Sequence, residues 1–269
     1  MHKVSLYDYY SFGFNYYILM NDSSHKTVEE FAKDIIRYSD FINDLDLKVT
    51  KSLLKMYGWN DNIKALNKLN VGTKKKKVVE PTLYDKIIEL IKKADPTLDA
   101  ELSIKTGYLL KEKRISTDKL IDEIDSIFSI ATFLHLPDVA RFDFIESGKC
   151  LAFDRNTASA FHSLRGTEDV LKFYYSNLTG KVATDTQTWG NFHSEIEAQI
   201  TAGNIIPHPP KELMQNLNSL RIYYRNKTQH PQLIYDADEA QDLMFNCIKC
   251  VNEIIKDLKS RGIINDLPF

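Results

Sequence analysis

The chain has 269 residues, 43% of them hydrophobic, and a formal net charge of −2 at pH 7, so it is a globular protein with room for one large domain or two modest ones. Its three cysteines, Cys150, Cys247 and Cys250, are too few for a disulfide framework and suit a reducing compartment; a charge this close to neutral argues neither for nor against a nucleic-acid partner. Asp8 and the polar positions around it break any apolar run of signal-peptide or membrane-spanning length in the first twenty residues, and the expectation is a cytoplasmic protein with no membrane partner.

Apolar residues recur at helical spacing and strand-like alternation is scarce, which predicts an all-α protein. The opening run YDYYSFGFNYYILM places seven aromatics between Tyr7 and Tyr17. They must bury or offer stacking faces to a ligand. Residues 4 to 25 contain no Lys or Arg to accompany a base-stacking platform, so burial is expected. Val28, Phe31, Ala32, Ile35 and Ile36 then form one face of a helix that starts after a Thr27 cap. Leu53, Leu54 and Tyr57 suggest a second helix, and Ile63, Leu66 and Leu69 a third. The run VGTKKKKVVEP (71 to 81) breaks the periodicity between Gly72 and Pro81. It reads as a solvated loop, with a grip on a phosphate backbone as the alternative use of four consecutive lysines. A short helix over LYDKIIELIKKA follows and ends before Pro96.

The first 115 residues are therefore read as a smaller, mainly helical region, and residues 116 to 269 as a helical bundle. Leu120, Ile124, Ile127, Ala131 and Leu134 make the stripe of the bundle's first helix, closed by Pro137. Phe161, Leu164, Leu171, Tyr175 and Leu178 mark the second, and Glu168 interrupts that seam. A carboxylate there is costly unless it is paired or faces a wet cleft, so Glu168 needs a cationic partner or a chemical role. TWGNFHSEIEAQI gives a third helix. A fourth starts after PHPP and runs through Leu213, Leu217, Leu220 and Tyr224. Asp236 and Glu239 are spaced as a capping box for the last helix, lined by Ala240, Leu243, Met244, Cys247, Val251, Ile254, Ile255 and Leu258. The C-x-x-C spacing of Cys247 and Cys250 falls inside it and reads as core, with metal or redox chemistry as the alternative.

Between the last two helices lies YYRNKTQHPQ (223 to 232). In an unbroken helix Arg225 and His230 would point about 140° apart. Pro231 pushes His230 out of the helical region, so the chain turns there and the imidazole can swing toward the arginine. A permanent cation with a fixed fork of donors then stands beside a group that titrates near neutrality, a combination suited to a phosphodiester. The first 115 residues carry 20 Lys and Arg against 16 Asp and Glu, and the remaining 154 carry 15 against 21. An anion near residue 225 must therefore be held by local cations.

The run R-N-K-T-Q-H-P, followed by the acid-capped helix YDADEAQDLMFNCIKCVNEII, resembles the R-x(4-6)-H motif of the HEPN superfamily (higher eukaryotes and prokaryotes nucleotide-binding domains). The resemblance covers roughly residues 116 to 269. It implies a metal-independent endoribonuclease, typical of toxin, antiphage or RNA-processing systems, working as a homodimer whose two motif copies form one cleft. It requires no cofactor and no metal. In that scheme His230 transfers a proton while the ribose 2′-hydroxyl attacks phosphorus, and Arg225 stabilises the charge developing on the phosphoryl oxygens. Asn226 orients the ring or bonds a phosphate. From the interrupted seam, and not from the motif, Glu168 and Arg165 beside it are candidates to pair with Arg225 or touch RNA. Lys227, Arg165 and Arg221 are the nearby cations for the RNA backbone, and an antitoxin or regulatory protein is a further expected partner. Two alternatives stand beside this reading: a non-catalytic HEPN-like domain that binds RNA, a nucleotide or a partner protein, and a structural adaptor in which the motif is accidental. His162 and His193, without a ligand set, read as structural, and Tyr223 and Tyr224 as core and interface.

Overall fold

The computed structural model describes residues 5–21, 26–184, 186–228 and 233–265. Those residues form an all-α protein, with a single isolated bridge between Thr27 and Val78 and no strand among them. The chain divides into two compact units, residues 1–108 and 109–269, each with its own apolar core.

The first unit contains α1 (Leu6–Asn21), α2 (Val28–Asp44), α3 (Lys48–Met56), α4 (Trp59–Leu69) and α5 (Pro81–Ser103). At the start of α2 the Thr27 hydroxyl accepts from the Glu30 N–H and the Glu30 carboxylate accepts from the Thr27 N–H, a full capping box. Those bonds hold the Glu30 carboxyl below its ordinary value. Val28, Phe31, Ala32 and Ile35 are buried as their spacing predicts, while Ile36 turns outward. The lysine run is exposed or half-exposed around a 3₁₀ turn, Gly72–Lys76, and Lys75 reaches Glu29 at 3.4 Å.

Two expectations for this unit are corrected. α5 does not stop at Pro96 but continues through it to Ser103. Proline inside a helix costs about 3 kcal/mol, and tertiary partners beyond it offset that: Leu98 is buried, and the Glu101 carboxylate accepts the Val49 and Thr50 N–H groups at the start of α3. The α1 aromatics are only partly buried. Phe12 and Tyr16 pack on the core, whereas Tyr7, Tyr10, Phe14 and Tyr17 stand exposed on the opposite side.

The second unit contains α6 (Thr117–Ile121), α7 (Asp138–Ala152), α8 (Asn156–Thr179), α9 (Trp189–Thr201), α10 (Lys211–Leu220), a π-helical turn (Arg221–Arg225), α11 (Asn226–Thr228) and α12 (Ala237–Ser260). Residues 109 to 115, read from sequence with the N-terminal region, pack here. Leu110 and Ile115 join this core, and Arg114 pairs with Asp238 and Asp242 of α12. The expected helix over 120 to 134 is broken into α6 and two 3₁₀ turns, Ile124–Ile127 and Phe133–His135, with Ala131 at a positive φ of 58°. Its run IDSIFSIAT is poor in strong helix formers, and tertiary partners claim it turn by turn: the Phe128 ring meets Phe133 and Phe144, and the Ser129 N–H donates to Asn252.

α7 has no apolar stripe to announce it. Its buried side consists of Ala140, Asp143, Phe144, Ser147, Gly148, Leu151 and Ala152. This small, polar face lets α7 approach α8 closely. Ser147 Oγ lies 3.0 Å from Ser159 Oγ and 2.6 Å from Ser163 Oγ, and a Cβ on Gly166 would sit 3.1 Å from the Phe144 ring. α12 lies against α8 with its apolar line buried, Cys247 and Cys250 included. Burial pushes the Cys247 thiol up to about 12.

Candidate functional site: the π turn and the start of α9

The site is built where α10 gives way to the π turn. α10 begins directly after Pro210 and buries Leu213, Leu217 and Leu220. At Arg221 the hydrogen-bond ladder widens, and the Asn226 N–H donates to the Arg221 carbonyl five residues back. Such single wide turns recur at functional sites. Tyr224 stays packed on the core while its neighbour Arg225 reaches α8.

Arg225 meets Glu168 there. Its Nε donates to Oε2 at 3.2 Å, and Nη2 donates to Oε2 at 3.2 Å and Oε1 at 3.3 Å. Both side chains are about four-fifths buried, at 21% and 23% exposure. Glu168 has a second task, since Oε1 also accepts the Trp189 N–H, the first of α9, at 2.9 Å. The seam carboxylate of α8 thus joins three elements. Arg225 Nη1 has no acceptor among the described residues. Arg221, four residues earlier, donates from Nε and Nη2 to Asn218 Oδ1 and lies beside Gly190 in the first turn of α9. Two guanidinium groups therefore flank the N-terminal turn of α9.

His230 lies outside the described residues, within 229 to 232. Thr228 and Tyr235, on either side of those residues, are joined. Thr228 Oγ1 bonds the Tyr235 hydroxyl at 2.7 Å and the Tyr224 carbonyl at 2.8 Å, and the Tyr235 N–H donates to Thr157 of α8. Burial raises the Tyr235 hydroxyl above its ordinary value, against the opposing pull of the Thr228 bond. Asn226 and Lys227 are exposed, and the Lys227 ammonium stands 5.9 Å from the centre of the Tyr223 ring. Tyr223 is itself exposed, so of the two tyrosines read as core and interface, only Tyr224 packs on the core. Tyr223 lines a groove of ≈ 250 Å³ with Asn216, Ser219, Asn246 and Lys249.

Arg165 is not part of this pair. Nε and Nη2 of Arg165 donate to Asp143 of α7 at 2.7 and 2.5 Å, and His162 Nδ1 lies 2.8 Å from the same carboxylate. Asp143 is fully buried and was not singled out from the sequence, where nothing distinguishes it from the solvent-facing acids of other helices. Asp169 on α8 accepts the Ala140 N–H at the start of α7; burial raises its carboxyl above the ordinary value, only partly opposed by that bond and by Lys172. His193 is buried with Nε2 3.0 Å from the Met214 carbonyl. Among the described residues no cluster of His, Cys, Asp or Glu could hold a metal ion, and no helix is long and apolar enough to cross a membrane.

Among the described residues the arrangement presents a cationic fork, aligned by a carboxylate, next to a helix N-terminus. Chemically such a fork can hold an oxyanion. No protein-family model, curated protein or solved structure matches the chain, so the functional reading rests on these residues and on the motif they form.

Proposed function

We propose that this protein is a metal-independent endoribonuclease of the HEPN type, acting as a homodimer in a toxin, antiphage or RNA-processing system. The observation that carries the reading is Arg225: Glu168 aligns it at the π turn and its Nη1 is without an acceptor among the described residues, while His230 follows it five residues later in the sequence.

In the proposed reaction a base removes the ribose 2′-hydroxyl proton and the oxygen attacks the adjacent phosphorus. The P–O5′ bond breaks as the new P–O2′ bond forms, leaving a 2′,3′-cyclic phosphate and a 5′-hydroxyl that takes a proton. His230 serves this proton traffic. Arg225 and the neighbouring Arg221 face the charge that grows on the non-bridging oxygens. Asn226 and Lys227 hold flanking phosphate, and the groove beside Tyr223 is large enough for a nucleobase to lie against its ring. Arg165, held by Asp143, contributes to the RNA-facing surface and not to Arg225.

The bidentate pair favours a second reading, a non-catalytic HEPN-like domain that binds RNA or a partner protein, because it already occupies two of the three guanidinium nitrogens of Arg225. Incubating a structured RNA with the purified protein in excess EDTA, wild type against His230→Ala, separates the two. The first reading expects cleavage by the wild type alone. Cleavage that survives in the variant removes His230 from the mechanism, and RNA retention without cleavage in both moves the assignment to the second reading.

A further inference from the structure

The aromatic helix α1 plays no part in the proposed cleavage site, and the groove it forms with α2 has a chemistry of its own. The groove is ≈ 450 Å³ in volume. Its walls are rings: Phe12 stacks on Phe41, Tyr9 meets Phe41 edge-on at 5.8 Å, and Tyr16 stacks on Tyr38 at 6.0 Å. Tyr38 is 1% exposed, and its hydroxyl has no hydrogen-bond partner among the described residues.

Four carboxylates line the same groove, with Arg37 as the lining cation. Asp34 is paired with Lys26 at 2.9 Å. Asp8, Asp40 and Asp44 are exposed and have no side-chain partner among the described residues. Asp44 is the last residue of α2, Asp40 lies one turn before it, and the final turn of α2 holds no basic residue. The carbonyl end of a helix disfavours carboxylates and attracts cations. Asp40 and Asp44 therefore stand at a helix end that favours a positive charge, and Arg37 is the one cation among the groove's lining residues.

Aromatic faces combined with carboxylates select an organic cation over an anion or a neutral apolar ligand. The acids do not converge into a metal-binding cluster, so they suit charges distributed along a chain. Asp40 and Asp44 are one helical turn, about 6 Å, apart along α2, which is also the separation of ammonium groups joined by three or four methylenes. We infer that the α1–α2 groove binds an aliphatic polyamine, its ammonium groups on Asp8, Asp40 and Asp44 and its methylenes across the rings of Phe12, Tyr9 and Phe41.

Isothermal titration of the full chain with spermidine at physiological ionic strength tests this, with the Asp40→Asn/Asp44→Asn double variant and magnesium chloride as comparisons. Both substituted positions are exposed, so the variant keeps the fold; its circular dichroism checks that. The expected result is saturable binding at one site per chain, weakened about tenfold or more in the variant and not displaced by equimolar magnesium. Absence of binding, equal binding by the variant, or displacement by magnesium overturns the proposal. So does a lysine-rich peptide that outcompetes spermidine through the same two residues, which would make the groove a protein-docking site. None of these outcomes depends on the ribonuclease reading.

Discussion

Arg225 is a cation placed beside the first turn of a helix, where exposed backbone N–H groups already carry positive charge. Without Glu168 the arrangement would be repulsive; with it, one carboxylate caps α9 and aligns the guanidinium. The sequence exposes Glu168 because a charge on an apolar stripe is conspicuous, while Asp143 escapes notice because its partners Arg165 and His162 are recruited from another helix. Asp169, next to Glu168, yields a prediction with a definite sign. Its carboxyl titrates above the ordinary value through burial, so its charged form is disfavoured in the folded state. The native state is penalised at neutral pH, and the penalty is relieved as pH falls through the raised folded value toward the unfolded one. Asp169→Asn, which keeps an acceptor for the Ala140 N–H, is therefore expected to raise the urea midpoint at pH 7 and to lose that advantage in mildly acidic buffer. A variant less stable than wild type at pH 7, or an advantage that grows on acidification, contradicts the assignment.

Elements with a wide apolar stripe are legible in the chain, and α2, α10 and α12 begin where their caps and prolines place them. α7 is not legible, because the contact that holds it is made by what its side chains lack. A Cβ on Gly148 would lie 2.3 Å from the Leu120 carbonyl oxygen, a backbone atom that cannot swing aside. Alanine improves helix propensity by about 1 kcal/mol, but overpacking a rigid contact costs about 1–3 kcal/mol, and at this distance the clash should win. Gly148→Ala is expected to lower the Tm by several degrees. Gly13→Ala in α1, where nothing lies within 4 Å, should leave it unchanged or raise it slightly. Equal behaviour of the two variants in a thermal melt would refute the close packing of α7 on α6. The π turn is likewise invisible in a sequence of ordinary helical spacing, since the apolar stripe passes through it without a missing residue; only the widened bond from Asn226 to Arg221 reveals it.

At the scale of the whole molecule the chain separates two chemistries. The first unit carries unpaired acids among aromatic rings, and the second carries arginines at a helix start within a unit whose formal balance is negative, 18 Lys and Arg against 22 Asp and Glu over residues 109 to 269. Such a balance provides no long-range attraction for RNA, so the proposed function relies on local cations, Arg221 and Arg225 of the π turn and Lys227 just after it. In the proposed reaction Arg225 and His230 act on a single RNA phosphodiester, and mapping the ends of RNA cut in excess EDTA tests this. The wild type is expected to leave 2′,3′-cyclic phosphate and 5′-hydroxyl termini, with rates lower by about a hundredfold or more in both Arg225→Ala and His230→Ala. Other termini, or wild-type rates in either variant, would contradict it.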